Sequence, residues 1–402
     1  MSMPIVCIPP VLNGLLAPYS TLYTKPQFGH FRRLVTGLIV SQNKTLQEIN
    51  DSFGERDQSN LNRFVNESPW DSEELNQLRL KQVQEHLELK EKGILVIDES
   101  LAHKTGKHME FAGRHRSGVT KQIEWGHLLV NAFYTDNADN GFPVKTDVYV
   151  REEDCAKYAD VTFKTKREMA IGHLDYALAA GLPVGVVVVD AGYEGKEFTR
   201  AIKERGCDFI IGVRVTTGIS IAGAKRKPIN DYLATLTDED FNLCIVEDKV
   251  YFYHLREVSM RGIGMITLIV CYGDGDEEEV KCYITNLKED DETIIKTLAK
   301  RWRIECFHRD AKQHLGLEAY QVRKGGGMQI VALAVLTAYT LVNLAARILE
   351  TPGRKLETVG EVCRYFQLVA YKGVRWVRDK LKTPQGALQT LNRHVFVKNA
   401  KV

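Results

Sequence analysis

Apolar residues recur at helical spacing through the first part of the chain, over about residues 19–90. Turn-forming residues such as Gly54 and Pro69 interrupt the pattern, which therefore predicts several short helices. Residues 44–65 predict two of these helices, joined by a turn near Gly54. Polar side chains open the second helix, and they suit either contacts with nucleic acid or the solvated face of an ordinary helical hairpin: Gln58, Ser59, Asn60, Asn62 and Arg63.

The pattern changes to strands at Gly93. Two compact runs, GILVID and LPVGVVVVD, are rich in β-branched or aliphatic residues and too short for helices. Each run ends in an acid, Asp98 in the first and Asp190 in the second. Further strand patterns alternate with amphipathic helical patterns at 166–180 and 196–205. Strands that alternate with helices predict an α/β layer architecture.

The later part of the chain divides into a β-rich segment and a helical segment. Residues 215–286 contain short strand patterns and predict an inserted β subdomain, in which the acidic run 274–279 suits a solvated hairpin tip better than a metal site. From Thr293 the pattern is helical again. The apolar stretch 330–349 is long enough to cross a membrane, but it contains Thr, Asn and Arg, so we expect a buried core helix.

Composition narrows the class of protein. The 402 residues are 44% hydrophobic and 26% charged, which suits a globular protein of two or more domains and argues against global disorder. The formal net charge is only +2, yet the segment after Arg323 carries about nine more basic than acidic side chains, so we expect a polyanion to bind there. Eight cysteines occur singly, and no export signal opens the chain, so we expect reduced thiols and a cytoplasmic protein.

Acidic residues in two settings, after predicted strands and on a predicted helix, suggest a metal site. Asp98 and Asp190 each follow a predicted buried strand, and carboxylates at strand ends suit hard divalent cations. Many open sheets end strands with Asp, so this pair alone leaves an ordinary structural role open. On the predicted helix 298–317, Arg301, Glu305 and Lys312 lie within roughly 40° of one face. That face suits a metal ligand flanked by phosphate-binding cations, or a salt-bridged helix facing solvent.

Most of the chain resembles bacterial insertion-sequence transposases with a DDE catalytic core. The resemblance rests on five blocks: HFRRLVTGLIVSQNKTLQEI, DQSNLNRFVNESPW, IDESLAHKTGKHMEFAGRHRSG, LPVGVVVVDAGYEGKEFTRAIKERGCDFIIGVR and RWRIECFHRDAKQHLGLEAYQVR. In one branch of that family the last region carries tyrosine, arginine, glutamate and lysine at fixed spacing. Arg301, Glu305 and Lys312 match three of these positions, whereas Leu298 stands where that branch has the tyrosine.

This resemblance implies an α/β fold with an RNase H-like catalytic core, a mixed sheet flanked by helices. It further implies a helical N-terminal DNA-binding domain and a β-rich insertion. We therefore expect five segments along the chain: the N-terminal domain at 1–90, the first part of the core at 91–214, the insertion at 215–286, the second part of the core at 287–350 and a basic helical tail at 351–402.

The resemblance also implies two-metal phosphoryl transfer on DNA. We expect Asp98 to bridge two Mg²⁺ ions, for which Mn²⁺ can substitute, with Asp190 on one ion and Glu305 on the other. Arg301 and Lys312 are expected to neutralise phosphate. The expected partners are double-stranded DNA, as transposon ends and target, and a second copy of the chain in a homodimer on DNA. No membrane is expected, and the expected location is the bacterial nucleoid.

Weaker expectations concern other residues near the acids. Trp302 suits stacking on an extruded base, although packing in the core is the commoner role of such a residue. Five cations follow the first acid and suit either DNA phosphates or a solvated loop: Lys104, Lys107, Arg114, Arg116 and Lys121.

Two alternative functions stay open from sequence. One is a metal-dependent nuclease of the same fold that cuts DNA without joining it. The other is a domesticated transposase that binds DNA without catalysis; the three acids argue against it, whereas Leu298 is compatible with it.

Overall fold

The structure is a computed structural model that describes residues 4–54, 59–89, 92–118, 120–159, 161–272, 280–353 and 355–371. Three predicted features lie outside the described residues: the acidic run 274–279, Gln58 and the part of the predicted basic tail that begins at residue 372. The chain forms two compact units. The helical unit takes the described parts of 1–86, 102–112 and 308–402, and the sheet unit takes those of 87–101 and 113–307.

The helices are as follows: α1 (Pro10–Leu16), α2 (Lys25–Val40), α3 (Leu46–Ser52), α4 (Ser59–Asn66), α5 (Ser72–His86), α6 (Glu152–Cys155), α7 (Lys166–Ala179), α8 (Lys196–Glu204), α9 (Ile229–Leu233), α10 (Asp291–Ala299), α11 (Trp302–Leu315), α12 (Gly325–Ile348) and α13 (Val359–Ala370). Three short 3₁₀ helices accompany them: Ala17–Leu22, Ala191–Tyr193 and Asp238–Asp240.

The strands are β1 (Gly93–His103), β2 (Gly113–Arg116), β3 (Ile123–Thr135), β4 (Gly141–Tyr149), β5 (Val184–Val189), β6 (Asp208–Val213), β7 (Gly218–Ser220), β8 (Lys227–Pro228), β9 (Asn242–Val246), β10 (Lys249–Met260), β11 (Gly264–Tyr272) and β12 (Lys281–Thr285). Among the described residues they form one sheet, ordered β2-β3-β1-β5-β6-β12-β11-β10-β7-β8, with β4 also paired to β3 and β9 to β10. Strands β1, β5 and β6 are parallel, whereas β12 and β11 continue antiparallel from β6.

Local sequence explains where the main helices begin. Thr165 and Glu168 form a capping box at the start of α7, and Thr358 and Glu361 form another at α13, so each side chain satisfies a backbone N–H that the first turn leaves without a partner. Asp290 caps α10 by accepting from the Thr293 N–H at 3.0 Å. These signals lie in the sequence itself, which is why the helix starts are predictable.

Helix α12 forms the centre of the helical unit. It packs against α1, α2, α4, α5 and α13. By length and composition it is long and apolar enough to cross a membrane, yet 89% of its most apolar stretch is buried inside the protein. The expectation of a buried core helix at 330–349 is thus confirmed.

The predicted α/β fold class with an RNase H-like core is confirmed: a mixed sheet combines with helices, and the β-rich segment extends that same sheet through β11 and β12. The paired helices around Gly54 are also confirmed as α3 and α4. The boundaries of the five predicted segments remain predictions.

Two local predictions are wrong. Strand β1 does not end at Asp98 but continues to His103, and the residues after the acid keep the alternation of a strand, with Ser100 and Ala102 buried between more exposed neighbours. The helix predicted over 298–317 is two helices: α10 ends at Ala299, and α11 begins at Trp302. No proline or glycine marks this break. Lys300, at the break, pairs with carboxylates of two distant turns, those of Asp139 and Glu247.

Candidate active site

Parallel pairing brings Asp98 and Asp190 to neighbouring positions. In the register of β1 and β5, Ile97 lies opposite Val189, so the next residue along each chain is an aspartate. Strand β5 ends there, and Asp190 caps the 3₁₀ helix Ala191–Tyr193 by accepting from the Gly192 N–H at 2.8 Å. The two apolar runs of the sequence therefore carry their acids to one point of the sheet unit.

A third carboxylate joins this pair. Asp98, Glu99 and Asp190 each offer a carboxylate oxygen, and these oxygens all lie within 4.8 Å of one another. We call these three residues the carboxylate cluster. It is the one group of at least three acidic, histidine or cysteine ligands found at this spacing among the described residues. Three partly buried carboxylates so close together form a ligand set typical of a hard divalent cation.

The cluster concentrates negative charge in a buried place. Burial, followed by the neighbouring Asp190 and Glu99 carboxylates, raises the pKa of Asp98 to about 8, against the lowering effects of the Glu99 N–H and Arg301. Burial also raises the pKa of Glu99, although Lys166 opposes it. The charged forms thus lack full compensation from the protein, and a divalent cation would supply it. The residues fit such an ion.

Two side chains border Glu99. The Lys166 ammonium, at the first residue of α7, lies 2.5 Å from Glu99 Oε1. Tyr193 is fully buried, and burial together with the nearby Glu99, Asp98 and Asp190 carboxylates holds the pKa of its hydroxyl well above the usual range. Tyr193 therefore keeps its proton beside the cluster, and Lys166 gives Glu99 a fixed counter-charge.

A glycine allows the backbone around Asp190 to lie where it does. A Cβ at Gly212 in β6 would stand 2.6 Å from the Ala191 nitrogen and 2.9 Å from the Asp190 carbonyl carbon. Real Cβ atoms essentially never lie so close to backbone atoms, so a side chain at this position would force the turn at Asp190 and Ala191 to shift.

Glu305 lies in the first turn of α11 and contacts Arg301. Arg301 Nη1 is 2.6 Å from Glu305 Oε1, and the same guanidinium lowers the pKa of Asp98. Glu305 does not belong to the carboxylate cluster at its 4.8 Å spacing. The structure brings Asp98 and Asp190 together directly and connects Glu305 to Asp98 through Arg301.

The remaining predicted residues have other neighbours. Lys312 belongs to the helical unit, where its ammonium lies 2.6 Å from Glu318 Oε1. Trp302 is half-buried, with the Lys249 ammonium 4.0 Å from the centre of its ring, a cation–π contact. The roles of Lys312 and Trp302 on DNA stay predictions.

Glu99 is the residue that sequence reasoning missed. Strand alternation places neighbouring residues on opposite faces, so Glu99 was not expected beside Asp98 and Asp190. The signal was the second acid in IDES, together with a lysine at the capping box of the next predicted helix.

The chain matches two family models. The model described as DDE superfamily endonuclease matches residues 19–230, and the model described as transposase DDE domain matches residues 171–341. The first match covers β1 and β5, which carry the carboxylate cluster, and the second covers α11.

Two curated proteins are similar to the chain. One, from Microchaete diplosiphon, is named "Probable transposase for insertion sequence element IS701" and is 30% identical over 193 residues, 46% of this chain and 49% of that protein. The other, from Sinorhizobium fredii (strain NBRC 101917 / NGR234), is named "Putative transposase y4zB" and is 24% identical over 202 residues, 50% of this chain and 52% of that protein. The chain thus spans about half the length of the curated relatives it matches.

Proposed function

The chain belongs to the DDE superfamily of endonucleases and transposases, and from that premise we propose that it cuts DNA at transposon ends and joins those ends to target DNA. Divalent metal use follows from the family. The observation that carries the proposal is the carboxylate cluster, in which two acids from neighbouring parallel strands meet within 4.8 Å.

The three acids would hold the metal ions of the proposed reaction. Asp98 and Asp190 would hold one divalent cation and Glu305 a second, and Mg²⁺ is the proposed ion. The bound ions would supply Lewis-acid activation of the attacking water or DNA 3′-hydroxyl and charge stabilisation of the leaving oxygen. Arg301 orients Glu305 through their 2.6 Å ion pair and offers its guanidinium to the phosphate.

Glu99 takes a supporting role in this proposal. Its carboxylate is paired with Lys166 at 2.5 Å, so part of its charge is compensated before any metal binds. It lies close enough to Asp98 and Asp190 to position them. Glu99 is also the alternative to Glu305 as the third metal-binding acid.

The helices α3 and α4 are proposed to contact the transposon ends. Ser59, Asn60, Asn62 and Arg63 are exposed on α4. Arg63 Nη2 donates to Asn60 Oδ1 at 2.8 Å, which holds its guanidinium along the helix surface. Amide and guanidinium groups on one exposed helix are the groups that reach base edges and phosphates.

Cleavage of DNA that carries the inverted repeats flanking the gene tests the proposal. We expect Asp98→Asn and Asp190→Asn to reduce Mg²⁺-dependent cleavage by about a thousandfold or more, because each removes a charged ligand. Retention of cleavage in either variant would overturn the proposal. Cut ends without joined product would identify a nuclease, and metal-independent binding without cleavage would identify a DNA-binding protein.

A pair of matched variants separates the two candidate third ligands. Glu305→Gln is expected to abolish cleavage to the same degree as Asp190→Asn, whereas Glu99→Gln is expected to reduce it by about tenfold at most, since Glu99 acts through its neighbours. The reverse order of effects would assign the third ligand to Glu99 and leave Glu305 as a partner of Arg301.

A further inference from the structure

The β2–β3 hairpin carries exposed cations outside the carboxylate cluster. Arg114 and Arg116 are exposed on β2, and Lys121 is exposed in the connecting turn. Among the described residues, no ion pair or hydrogen bond of these three side chains is found, in contrast to Arg151 nearby, which pairs with Glu153 and Asp154. These three cationic side chains are therefore accessible to an anionic ligand from solvent.

Strand pairing puts the two arginines on one face. Arg114 lies opposite Trp125 and Arg116 opposite Ile123, and paired residues of antiparallel strands point to the same side. Ile123 is 72% exposed and Trp125 is half-buried. We call Arg114, Arg116, Ile123 and Trp125 the outer face of the hairpin. It combines two guanidinium groups with an apolar floor.

The opposite face of the hairpin has a different character. His115 is buried there, with its ring near that of Tyr149. Glu124, paired with His115, also belongs to this side, and its carboxylate accepts from the Thr120 hydroxyl at 2.6 Å. The acid of the hairpin is thus kept away from the outer face, which leaves that face uniformly positive.

The position of the hairpin connects it with the carboxylate cluster. In the sheet, only β3 separates β2 from β1, which carries Asp98 and Glu99. The outer face and the carboxylate cluster therefore belong to the same sheet unit, with β2 and β1 two positions apart in the sheet. The cations predicted from sequence differ in their exposure: Lys104 is buried and its ammonium donates to the Glu318 and Tyr320 carbonyls, whereas Arg114, Arg116 and Lys121 are exposed.

We propose that the outer face of the β2–β3 hairpin binds the sugar-phosphate backbone of the DNA that enters the carboxylate cluster, with Arg114 and Arg116 each contacting a phosphate and Lys121 adding charge at the turn. The proposal rests on the proposed function, because it takes DNA as the substrate. Guanidinium groups suit phosphate oxygens, and sugar edges pack on Ile123 and Trp125.

The test measures the affinity of the full chain for a mixed-sequence DNA duplex and for a duplex with the flanking inverted repeat, in EDTA, over a series of salt concentrations. The variant is Arg114→Gln/Arg116→Gln. Loss of two phosphate contacts is expected to weaken binding of both duplexes roughly fiftyfold at about 0.1 M salt, and to reduce the slope of log affinity against log salt by roughly two. Arg114→Lys/Arg116→Lys, which keeps both charges, is expected to retain most of the wild-type affinity.

The matched control is Arg200→Gln/Lys203→Gln on α8. This control also removes two positive charges from the sheet unit. They come from a surface on which Glu197 and Glu204 pair with Arg200. We expect it to bind within about threefold of the wild type. Equal losses in the two variants would overturn this inference alone. Failure of the wild-type protein to bind either duplex would overturn the proposed function and this inference with it.

Discussion

Each unit holds an ionisable side chain away from solvent, wholly in the helical unit and partly in the sheet unit. The neighbours of these two side chains differ in kind. In the helical unit, Arg79 is fully buried and donates to Asn76 Oδ1 at 2.7 Å and to Thr340 Oγ1 at 2.9 Å. In the sheet unit, the half-buried Asp98 lies beside two further carboxylates. Hydrogen bonds to the buried guanidinium offset the cost of removing its charge from water. A buried charge crowded by like charges costs stability, and proteins keep such an arrangement where function needs it.

The largest effect is expected at Arg79. Arg79→Met removes a buried guanidinium and with it the hydrogen bonds to Asn76 Oδ1 and Thr340 Oγ1, so we expect the free energy of unfolding to fall by about 3 kcal/mol. Urea denaturation measures this change. Arg63→Met on the exposed α4 is the control, with an expected change within about 0.5 kcal/mol. Similar values for the two variants would show that the buried network does not stabilise the helical unit.

In the absence of metal, Asp98→Asn is expected to raise the free energy of unfolding, in contrast to Arg79→Met. The pKa of Asp98 is raised from 3.8 to about 8, so the folded protein binds a proton more tightly than the unfolded chain and loses stability as the pH rises between these values. Asp98→Asn lacks this loss. We expect the variant to be more stable than the wild type by about 2 kcal/mol at pH 8 in EDTA, with little difference at pH 4.

Denaturation midpoints at a series of pH values measure the Asp98 effect. A stability difference that stays constant from pH 4 to pH 8 would mean that crowding does not raise the pKa of this carboxyl group. Addition of Mg²⁺ is expected to stabilise the wild type more than Asp98→Asn, because only the wild type retains the full ligand set.

A smaller effect is expected at Gly212. Its substitution by alanine would force the backbone of Asp190 and Ala191 to shift, since a Cβ there would stand 2.6 Å from the Ala191 nitrogen. We expect cleavage to fall by about tenfold and the free energy of unfolding by about 1 kcal/mol. Steady-state cleavage at saturating Mg²⁺ measures the first change. Unchanged cleavage would show that the position of Asp190 does not depend on this close approach.

The smallest effect is expected at Gly172, within α7. No atom lies within 4 Å of a Cβ built there, so alanine adds helix propensity without a clash. We expect Gly172→Ala to raise the free energy of unfolding by about 0.5–1 kcal/mol and to leave cleavage unchanged. Thermal unfolding checks this value. A loss of stability would contradict the packing of α7, and the pair with Gly212→Ala separates steric effects from the general cost of removing a glycine.

The sequence predicted those parts of the site that local patterns determine. Asp98 and Asp190 follow two runs that only buried strands explain, and parallel strands bring equivalent positions together. Glu99 was not predictable in the same way, because its place depends on a pairing with Lys166, 67 positions along the chain. The break before α11 was missed for a similar reason: Lys300 pairs with two distant turns.

The burial of Arg79 could not be predicted from the sequence either. Its helix contains many polar residues and looks solvated by composition, and only the packing of α5 against α12 buries this side chain. Periodicity therefore predicted the elements, and contacts between distant elements determined which charges became buried.

The proposed function depends on Asp98 and Asp190 holding a divalent cation between them. Crystals grown with Mn²⁺ test this directly through the anomalous scattering of the ion. We expect an anomalous peak within about 2.0–2.3 Å of an oxygen of each aspartate, a distance typical of first-row metal ligands. An anomalous map that shows Mn²⁺ bound elsewhere, or no peak between these two carboxylates at saturating Mn²⁺, would contradict it.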